Sequence, residues 1–308
     1  MAKSGSRLTS SICMVILISM VLHFTGPVTT AESFVFDFEE KVDLYVRSLA
    51  KEHATNVLWW DMHGEHVHLT EFKHMYNRFK VTVRTNSIAY GEFRNVSINS
   101  KLVHTEWFHN GQSTDPQQVR LTKAIQRTRS EAWRTEKGLS YGKEPISLDI
   151  GVPKIGLNVK FPLSDGSRRY VNINHSKQQE HTETYMISVD QNLTVRPKTS
   201  LKIDWVVTDI AQEAPWTSNV TAEGYFAVWF YHMVNNHYLW FYPVTTLRDP
   251  LLTPIDKKTV QYISSGWLTT ANAIESYLRV SEYDLISYGR KPLSSKIYAV
   301  PLVMHVNK

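Results

Sequence analysis

The pattern of apolar and polar positions is clearest between residues 146 and 161, where it alternates and changes phase once. Apolar side chains form two runs on either side of Pro153 and Lys154, at Ile146, Leu148, Ile150, Val152, Ile155, Leu157, Val159 and Phe161. Polar or charged side chains lie between them at Ser147, Asp149, Asn158 and Lys160. Successive side chains of a strand point to opposite faces, so a bend at Pro153-Lys154 pairs the apolar residues of the two arms. The pattern predicts an amphipathic β-hairpin over about residues 144–163, with its tip at Pro153 and Lys154.

Two interpretations of this hairpin follow from the pattern. It can be an ordinary half-buried hairpin of a β-sandwich, with its polar face in water. Alternatively, copies from several subunits close into a membrane barrel, with apolar residues toward lipid and polar residues lining the pore. Each apolar arm has seven residues, 146–152 and 155–161, whereas a spanning strand usually needs about 9 to 11. A barrel would therefore have to continue beyond both arms.

Elsewhere the pattern predicts one helix and many strands. Val42, Tyr45, Val46 and Leu49 are spaced by three and four, which is typical of an amphipathic helix over residues 39–53. Later segments such as 201–207 and 225–234 are rich in β-branched and aromatic residues and lack helical periodicity. We therefore predict a mostly-β fold with a short N-terminal helix.

Residues 1–31 have the three-part layout of a secretory signal peptide. Lys3 and Arg7 precede the apolar run Ile12 to Leu22, and small residues follow before Glu32. A membrane anchor is the alternative, but this run is shorter than the roughly 20 residues that a spanning helix needs. We therefore expect this segment to be removed and the mature protein to be secreted.

Removal of this segment changes the charge and the cysteine content. The formal charge of +5 falls to +3, because Lys3 and Arg7 leave with no acidic residue, and the single cysteine, Cys13, leaves with them. We therefore expect no disulfide and no thiol chemistry. The remaining lysines and arginines are scattered along the chain, which does not favour a nucleic-acid partner.

Four glycosylation sequons accompany the signal. They begin at Asn95, Asn174, Asn192 and Asn219. None has proline at the middle position, so each is a candidate acceptor for an N-linked glycan.

The order of segments around the hairpin resembles the aerolysin and epsilon-toxin-like family of β-pore-forming proteins. A polar arm leads to the hairpin, a Val-Pro tip is followed by Gly156, and a second polar arm returns to "QNLTVRPKTSLKIDWVV" at 191–207 and "EGYFAVWF" at 223–230. The resemblance covers roughly residues 115–230. It implies an elongated architecture of long, twisted antiparallel strands, with the apolar hairpin residues facing lipid after insertion.

The resemblance also implies a domain order and a function. We expect an N-terminal helix plus β receptor-binding region at 32–111, an aerolysin-like pore-forming module at 112–245 and a C-terminal β region at 246–308 that packs on the module. The implied function is to bind a cell surface, oligomerise and insert the hairpin. The expected partners are membrane lipid, a surface glycan or protein receptor, and further copies of the chain. No cofactor and no catalysis are expected.

A non-lytic function on the same scaffold is the competing interpretation, as a secreted binding, defence or developmental factor. Its support is the short apolar arms and the basic first arm, which carries Arg120, Lys123, Arg127, Arg129, Arg134 and Lys137. A shared fold does not by itself establish a shared activity.

Two groups of side chains in the N-terminal region are weaker candidates for binding. Trp59, Trp60 and Tyr76 suit contacts with a receptor or a membrane interface, although burial in a core is the commoner role of such residues. His66 and His68 are expected on one face of a strand, where they could bind zinc or respond to acid. No complete set of four zinc ligands is visible nearby, so we predict no metal site.

Residues 138–142 match the nucleophile-elbow pattern G-x-S-x-G, with Ser140 in the centre. That pattern supports a hydrolase only between a strand and a helix, and with an acid and a histidine in order. The surrounding sequence predicts a strand after it rather than a helix. We therefore keep a secreted hydrolase only as a third interpretation.

Overall fold

The N-terminal helix forms where its periodicity predicts it. In the computed structural model, α1 spans Phe38–Glu52, and the side chain of Asp37 caps it by accepting the Glu40 amide hydrogen at 3.0 Å. Acidic residues in the first turn and Lys51 in the last turn complement the helix dipole. Val42, Val46 and Leu49 of the predicted stripe are buried, and Tyr45 is half-buried.

The structure describes residues 33–143, 145–150, 169–174, 178–285 and 291–306. Residues 1–31 and most of the predicted hairpin lie outside these ranges, including Val152, Pro153, Lys154, Ile155, Leu157, Asn158, Val159, Lys160 and Phe161. The predictions for these residues stay predictions.

Strands make up most of the described chain. In order they are β1 Phe34–Asp37, β2 Val57–Asp61, β3 Val81–Thr85, β4 Ala89–Tyr90, β5 Arg94–Asn110, β6 Gln117–Ser140, β7 Ser147–Ile150, β8 Arg169–Asn172, β9 Gln179–Val195, β10 Thr199–Val234, β11 His237–Pro243, β12 Thr253–Pro254, β13 Thr259–Asp284, β14 Ser294–Ala299 and β15 Val303–Val306. Two short helices, α2 Val67–Glu71 and α3 Lys73–Tyr76, and a 3-10 helix at Val244–Leu247 interrupt them. The predicted mostly-β architecture with long strands is confirmed.

The strand β10, 36 residues long, organises the sheet. Along one edge it pairs with β13 from Thr199↔Asp284 to Glu223↔Thr259. Along its other edge it pairs in turn with β5, β4 and β3. Beyond Gly224 it enters a second ladder, between β2 and β11. One continuous strand, β10, therefore takes part in both ladders.

Gly224 is required where β10 passes from one ladder to the next. Its φ is +128°, and a Cβ there would lie 2.0 Å from the carbonyl oxygen of Lys80. Only glycine adopts this conformation without strain and permits so close an approach of the two backbones.

β6 and β9, which we call the arms, lead to and from the hairpin segment. They pair antiparallel with each other from Gln117↔Val195 to Trp133↔Gln179. β6 also pairs with β13 between residues 130 and 137, and β15 pairs with β9 at residues 185–188. The arms are thus joined to the β10–β13 pair near one end of β6.

Two hydrophobic cores occupy the two ends of this sheet. The upper core lies between the arms and the β10–β13 pair and includes Leu121, Ile187, Ile203 and Trp205. The lower core lies under α1 and includes Phe36, Phe38, Val46, Leu148, Trp216 and Phe226. Between them along β6, ion pairs join Arg127 to Asp209 and Arg129 to Glu131. A polar band therefore separates the cores.

The lower core draws residues from all the regions that we expected after the signal peptide. Val42 comes from 32–111, Leu148 and Phe226 from 112–245, and Val260 from 246–308. The predicted domain boundaries stay a prediction.

Among the described residues, no helix has the length and apolar character needed to span a membrane.

Candidate functional site

β7 and β8 form a two-stranded sheet of their own, which we call the flap. They run antiparallel, with Leu148 opposite Val171 and Ile150 opposite Arg169. Neither strand is part of the 13-stranded sheet. The flap contains the described part of the predicted hairpin.

The flap packs one face into the lower core and presents the other to solvent. Ile146, Leu148 and Ile150 are buried and belong to the lower core. The intervening Ser147 and Asp149 are exposed. The alternation seen in the sequence therefore divides these five side chains between core and solvent in this state of the protein.

β8 is a partner of β7 that the sequence analysis missed. The available signal was the alternation of Val171 and Ile173, both of which are buried in the same core. The partner predicted for β7, residues 155–161, lies outside the described residues. That pairing stays a prediction.

Backbone and side-chain hydrogen bonds both attach the flap to the body. The Leu139 amide donates to the Ile173 carbonyl at 3.1 Å, and the Thr85 hydroxyl donates to the Ser147 carbonyl at 3.4 Å. The Ile173 amide donates to the Ile146 carbonyl at 3.0 Å within the flap region. The Gln179 side chain of β9 adds two bonds to Asn172 of β8: it accepts the Asn172 amide hydrogen at 3.0 Å and donates to the Asn172 carbonyl at 2.6 Å. The flap is therefore attached by burial of its apolar side chains and by a small number of described hydrogen bonds.

A second candidate site is an aromatic row across β2, β10 and β11. The ring centroids of Trp59 and Trp229 are 5.6 Å apart, and those of Trp229 and Tyr238 are 6.1 Å apart. The His66 ring stacks on Trp59 at 3.8 Å. All four rings are at least partly exposed. We define the aromatic row as His66, Trp59, Trp229 and Tyr238.

Rings from α2, α3 and the residue between them extend the aromatic row. We call the row together with His68, Phe72 and Tyr76 the aromatic surface. The His68 ring lies 4.7 Å from Trp229, 5.1 Å from Phe72 and 6.0 Å from Tyr76. Near the β10–β11 turn, Tyr231 and Met233 are also exposed. This end of the molecule therefore presents a broad surface of aromatic and apolar side chains.

Asp61 explains why the chain turns into α2 after β2. Its carboxylate accepts the backbone amide hydrogens of four successive residues, at 2.6 Å, 3.0 Å, 2.7 Å and 2.5 Å for His63, Gly64, Glu65 and His66. These bonds satisfy amides in the loop and at the start of the helix. His66 then caps α2 by accepting the His68 amide hydrogen at 3.3 Å.

The expectation that His66 and His68 share a strand face is wrong, because His66 precedes α2 and His68 lies within it. Among the described residues, no group of three or more histidine, cysteine, aspartate or glutamate side chains could hold a metal ion.

The three aromatic residues predicted as receptor contacts do not share one surface. Trp59 and Tyr76 both contact His68 on the aromatic surface. Trp60 packs against the lower core, and its indole donates to Asp43 at 3.2 Å. The sequence analysis missed Trp229 and Tyr238, although the aromatic residues at 225–242 were a signal for them.

Tyr242 of β11 packs against α1 and the lower core, on the side of the sheet that faces α1. Tyr242 packs edge-on against Tyr45 at 6.0 Å. Burial raises the pKa of Tyr242 to about 12, with smaller contributions from Tyr45 and Glu52. The Tyr242 phenol is therefore neutral over the physiological pH range.

Three of the four predicted glycosylation residues are exposed: Asn95, Asn192 and Asn219. Asn174 is half-buried, and its side-chain oxygen accepts the Ile146 amide hydrogen. Asn174 therefore has a structural contact at the base of the flap.

The G-x-S-x-G pattern lacks the expected surroundings. Ser140 ends β6 and pairs with Asp37 of β1, and the described chain continues into the extended β7. A nucleophile elbow requires a following helix. These surroundings do not favour the hydrolase interpretation.

The comparisons with known proteins identify similar folds rather than similar sequences. No family model and no curated protein matches the chain. A non-toxic crystal protein from Bacillus thuringiensis superposes with a TM-score of 0.58 at 12% identity, covering 82% of this chain and 98% of its own. The Mpp75Aa1.1 β-pore-forming protein from Brevibacillus laterosporus gives 0.54 at 12% identity, with 89% and 98% covered.

The parasporin-2 toxin of Bacillus thuringiensis, which recognises cancer cells, gives a TM-score of 0.50 at 15% identity, with 80% of this chain and 97% of its own covered. Nearly the whole length of each relative is therefore matched, at identities where only the fold is shared. The long strands, the two cores and these superpositions agree, and the chain has the fold of the aerolysin-like β-pore-forming proteins.

Proposed function

We propose that this protein is secreted, binds a cell surface through its aromatic surface, oligomerises and inserts the hairpin segment into the membrane. The fold supports this proposal, because solved structures with the same architecture include proteins described as a toxin and as a β-pore-forming protein. No catalytic step is part of the proposal.

The observation that carries the proposal is the flap. It buries an alternating apolar face in the lower core while it stays outside the main hydrogen-bonded sheet. A segment attached in this way can leave without unpairing the ladder of β10 and β13. After release, the same face would meet lipid, and Ser147 and Asp149 would face the water of a pore.

Release of the flap carries a free-energy cost that a membrane can offset. Leu148, Ile150 and Val171 are buried, and exposing a large apolar side chain to water costs roughly 1.5–3 kcal/mol. Lipid would replace the protein as the apolar environment. This cost would keep the flap docked in solution and favour insertion only at a membrane surface.

The aromatic surface supports the binding step. Partly exposed aromatic rings bind sugars and lipid interfaces through their apolar faces, and tyrosine adds a polar group. Trp59 and Trp229 alternate along their strands with Trp60, Val228 and Phe230, which pack in or against the lower core. These two rings therefore lie on the side of the β2–β10–β11 sheet away from α1, where a partner can reach them. A surface glycan, a lipid headgroup region or a protein receptor would fit this chemistry.

A reversible lock on the flap tests the insertion step. In a Thr85→Cys/Ser147→Cys variant, a short reducible bis-thiol reagent would join the flap to β3, because the Thr85 hydroxyl lies 3.4 Å from the Ser147 carbonyl. The matched control is Ser100→Cys/Thr208→Cys, where the two hydroxyls lie 2.9 Å apart between β5 and β10. The readout is dye release from liposomes and from cells.

We expect the flap lock to abolish release and reduction to restore it, while the control reagent leaves release unchanged. If the locked protein releases dye as well as the unlocked protein, the flap is not the inserting element. If no variant causes release although the protein binds cells, the pore is excluded and binding remains.

A non-lytic binding function is the second candidate. It is supported by the likeness to a crystal protein described as non-toxic, and by the basic side chains of β6. For this function, binding to cells would persist without release under any condition, and the aromatic surface would still be required.

A further inference from the structure

β5 is a long edge strand. Its 17 residues pair with β10 along one side, and within the described ranges no strand pairs with its other side. Over residues 94–102, the backbone groups on this side, with which no described strand pairs, are a template for pairing with another chain. A stable soluble protein with this edge needs a means of covering it.

Side-chain hydrogen bonds identify which residues of β5 and β10 share the outer face. The hydroxyl of Ser100 lies 2.9 Å from that of Thr208, and Thr105 donates to Asp204 at 2.7 Å. Leu102 pairs with Val206 and Ile98 with Ile210. These positions alternate with the upper-core residues Trp205 and Val207 of β10, so they lie on the outer face.

This outer face is apolar where β5 is open to solvent. Ile98 is 56% exposed and Leu102 is 58% exposed. Both side chains lie along the unpaired edge, and the adjacent Val96 is also exposed. An apolar strip along a free edge strand favours self-association.

A β-bulge brings the sequon residue Asn95 onto the same face. The register shifts between Ala211, which pairs with Ser97, and Gln212, which pairs with Asn95. The Gln212 amide donates to the Asn95 side-chain oxygen at 2.9 Å. That contact uses Oδ1 and leaves Nδ2, the atom to which a glycan is attached, on the outer face.

We propose that an N-linked glycan on Asn95 covers this apolar strip and prevents β5 from pairing with a second copy of the chain. Ile98 lies about 10 Å along the strand from Asn95, and Leu102 about 23 Å, at a rise of about 3.3 Å per residue. A bulky, hydrated oligosaccharide anchored at the end of the strip would exclude a second strand from it.

The modification itself replaces one hydrogen of Nδ2 by the anomeric carbon of the oligosaccharide. The donor is a lipid-pyrophosphate-linked oligosaccharide of the secretory pathway, whose lipid pyrophosphate leaves and takes up the proton. The inference rests on the secretion included in the proposed function. It does not depend on pore formation.

The test is to express the full chain in a eukaryotic secretory host and to measure glycan occupancy and self-association. The variant Ser97→Ala destroys the sequon and keeps the contact between Asn95 and Gln212. Thr194→Ala removes the sequon at Asn192 on β9 and serves as the matched control. Peptide mass spectrometry gives the occupancy, and sedimentation velocity without membranes gives the oligomeric state.

We expect Asn95 to carry a glycan in most secreted chains. We expect Ser97→Ala to associate at least tenfold more tightly than the wild type, and Thr194→Ala to behave as the wild type. Adding Leu102→Thr to Ser97→Ala should restore the monomer. An unmodified Asn95, or a Ser97→Ala protein that stays as monomeric as the wild type, would overturn the proposal.

These outcomes are distinct from those of the flap lock. Loss of dye release leaves the glycan and the sedimentation result unchanged. Conversely, an Asn95 without a glycan overturns the proposed role of the glycan and has no bearing on insertion of the flap.

Discussion

Trp59 of β2 and Trp229 of β10 are register partners, and their rings lie 5.6 Å apart at an interplanar angle of 31° on the aromatic surface. Residues far apart in the sequence thus form the centre of the aromatic row. Hot spots of binding surfaces are enriched in tryptophan.

The first prediction concerns cell binding. We expect Trp229→Ala to weaken binding at least about tenfold, equivalent to about 1.4 kcal/mol. The control is Trp107→Ala on β5, which removes another half-buried tryptophan away from the row. Flow cytometry with labelled protein measures binding, and circular dichroism checks folding. Equal binding by the two variants would contradict a role for the row.

The second prediction concerns the docking of the flap. Leu148→Ala should destabilise the flap by about 2–5 kcal/mol, because it leaves a cavity in the lower core. Hydrogen exchange should accelerate in residues 145–150 and 169–174 and stay slow in the β10–β13 ladder. The exposed neighbour provides the control, since Asp149→Ala should change stability by less than about 0.5 kcal/mol. Uniform acceleration over the whole sheet would mean that the flap unfolds only with the body.

The third prediction concerns Gly224. Gly224→Ala should destabilise the protein by at least about 3 kcal/mol, because the added Cβ meets a backbone oxygen and φ is positive. Gly111→Ala is the matched control, since a Cβ there meets nothing within 4 Å. Urea unfolding measures both variants. Similar urea midpoints for the two variants would show that β10 tolerates a side chain at position 224.

The fourth prediction concerns acid stability. Hydrogen bonds from Arg196, and then its charge, hold the pKa of Glu282 below its ordinary value, with Nε and Oε1 2.6 Å apart. A lowered carboxyl pKa stabilises the fold above the unfolded-state value of about 4.3. That contribution is lost as the pH falls through the folded-state pKa.

The variant Glu282→Gln should therefore be less stable than the wild type at pH 7, and the difference should shrink as the pH falls below about 4. Thermal unfolding between pH 7 and pH 3 measures it. A difference that stays constant over this range would show that the charge of Glu282 does not stabilise the fold.

Local patterns predicted the parts of the fold that depend on neighbouring residues. The spacing of Val42, Tyr45, Val46 and Leu49 gave α1, and the alternation from Ile146 gave the faces of β7. The partner of β7 lies after the hairpin segment, and pairing over such a distance depends on the whole fold. The aromatic row was missed for the same reason, since it combines residues from three strands.

His66 and His68 show where a local pattern failed. Their alternation is compatible with a strand. However, the Asp61 carboxylate accepts hydrogen bonds from the amides of four successive residues, and the helix α2 follows directly. A side chain outside the alternating segment therefore decided its conformation.

The unbroken length of β10 has a consequence for a surface-bound protein. Asp209, bonded to one arm, and Trp229, in the aromatic row, belong to the same strand. The strand between them spans at most about 65 Å at a rise of about 3.3 Å per residue. If the aromatic row rests on the cell surface, the number of residues in β10 fixes the height of the arms above it. All bound copies would then hold their arms at one level, as lateral pairing between neighbours requires.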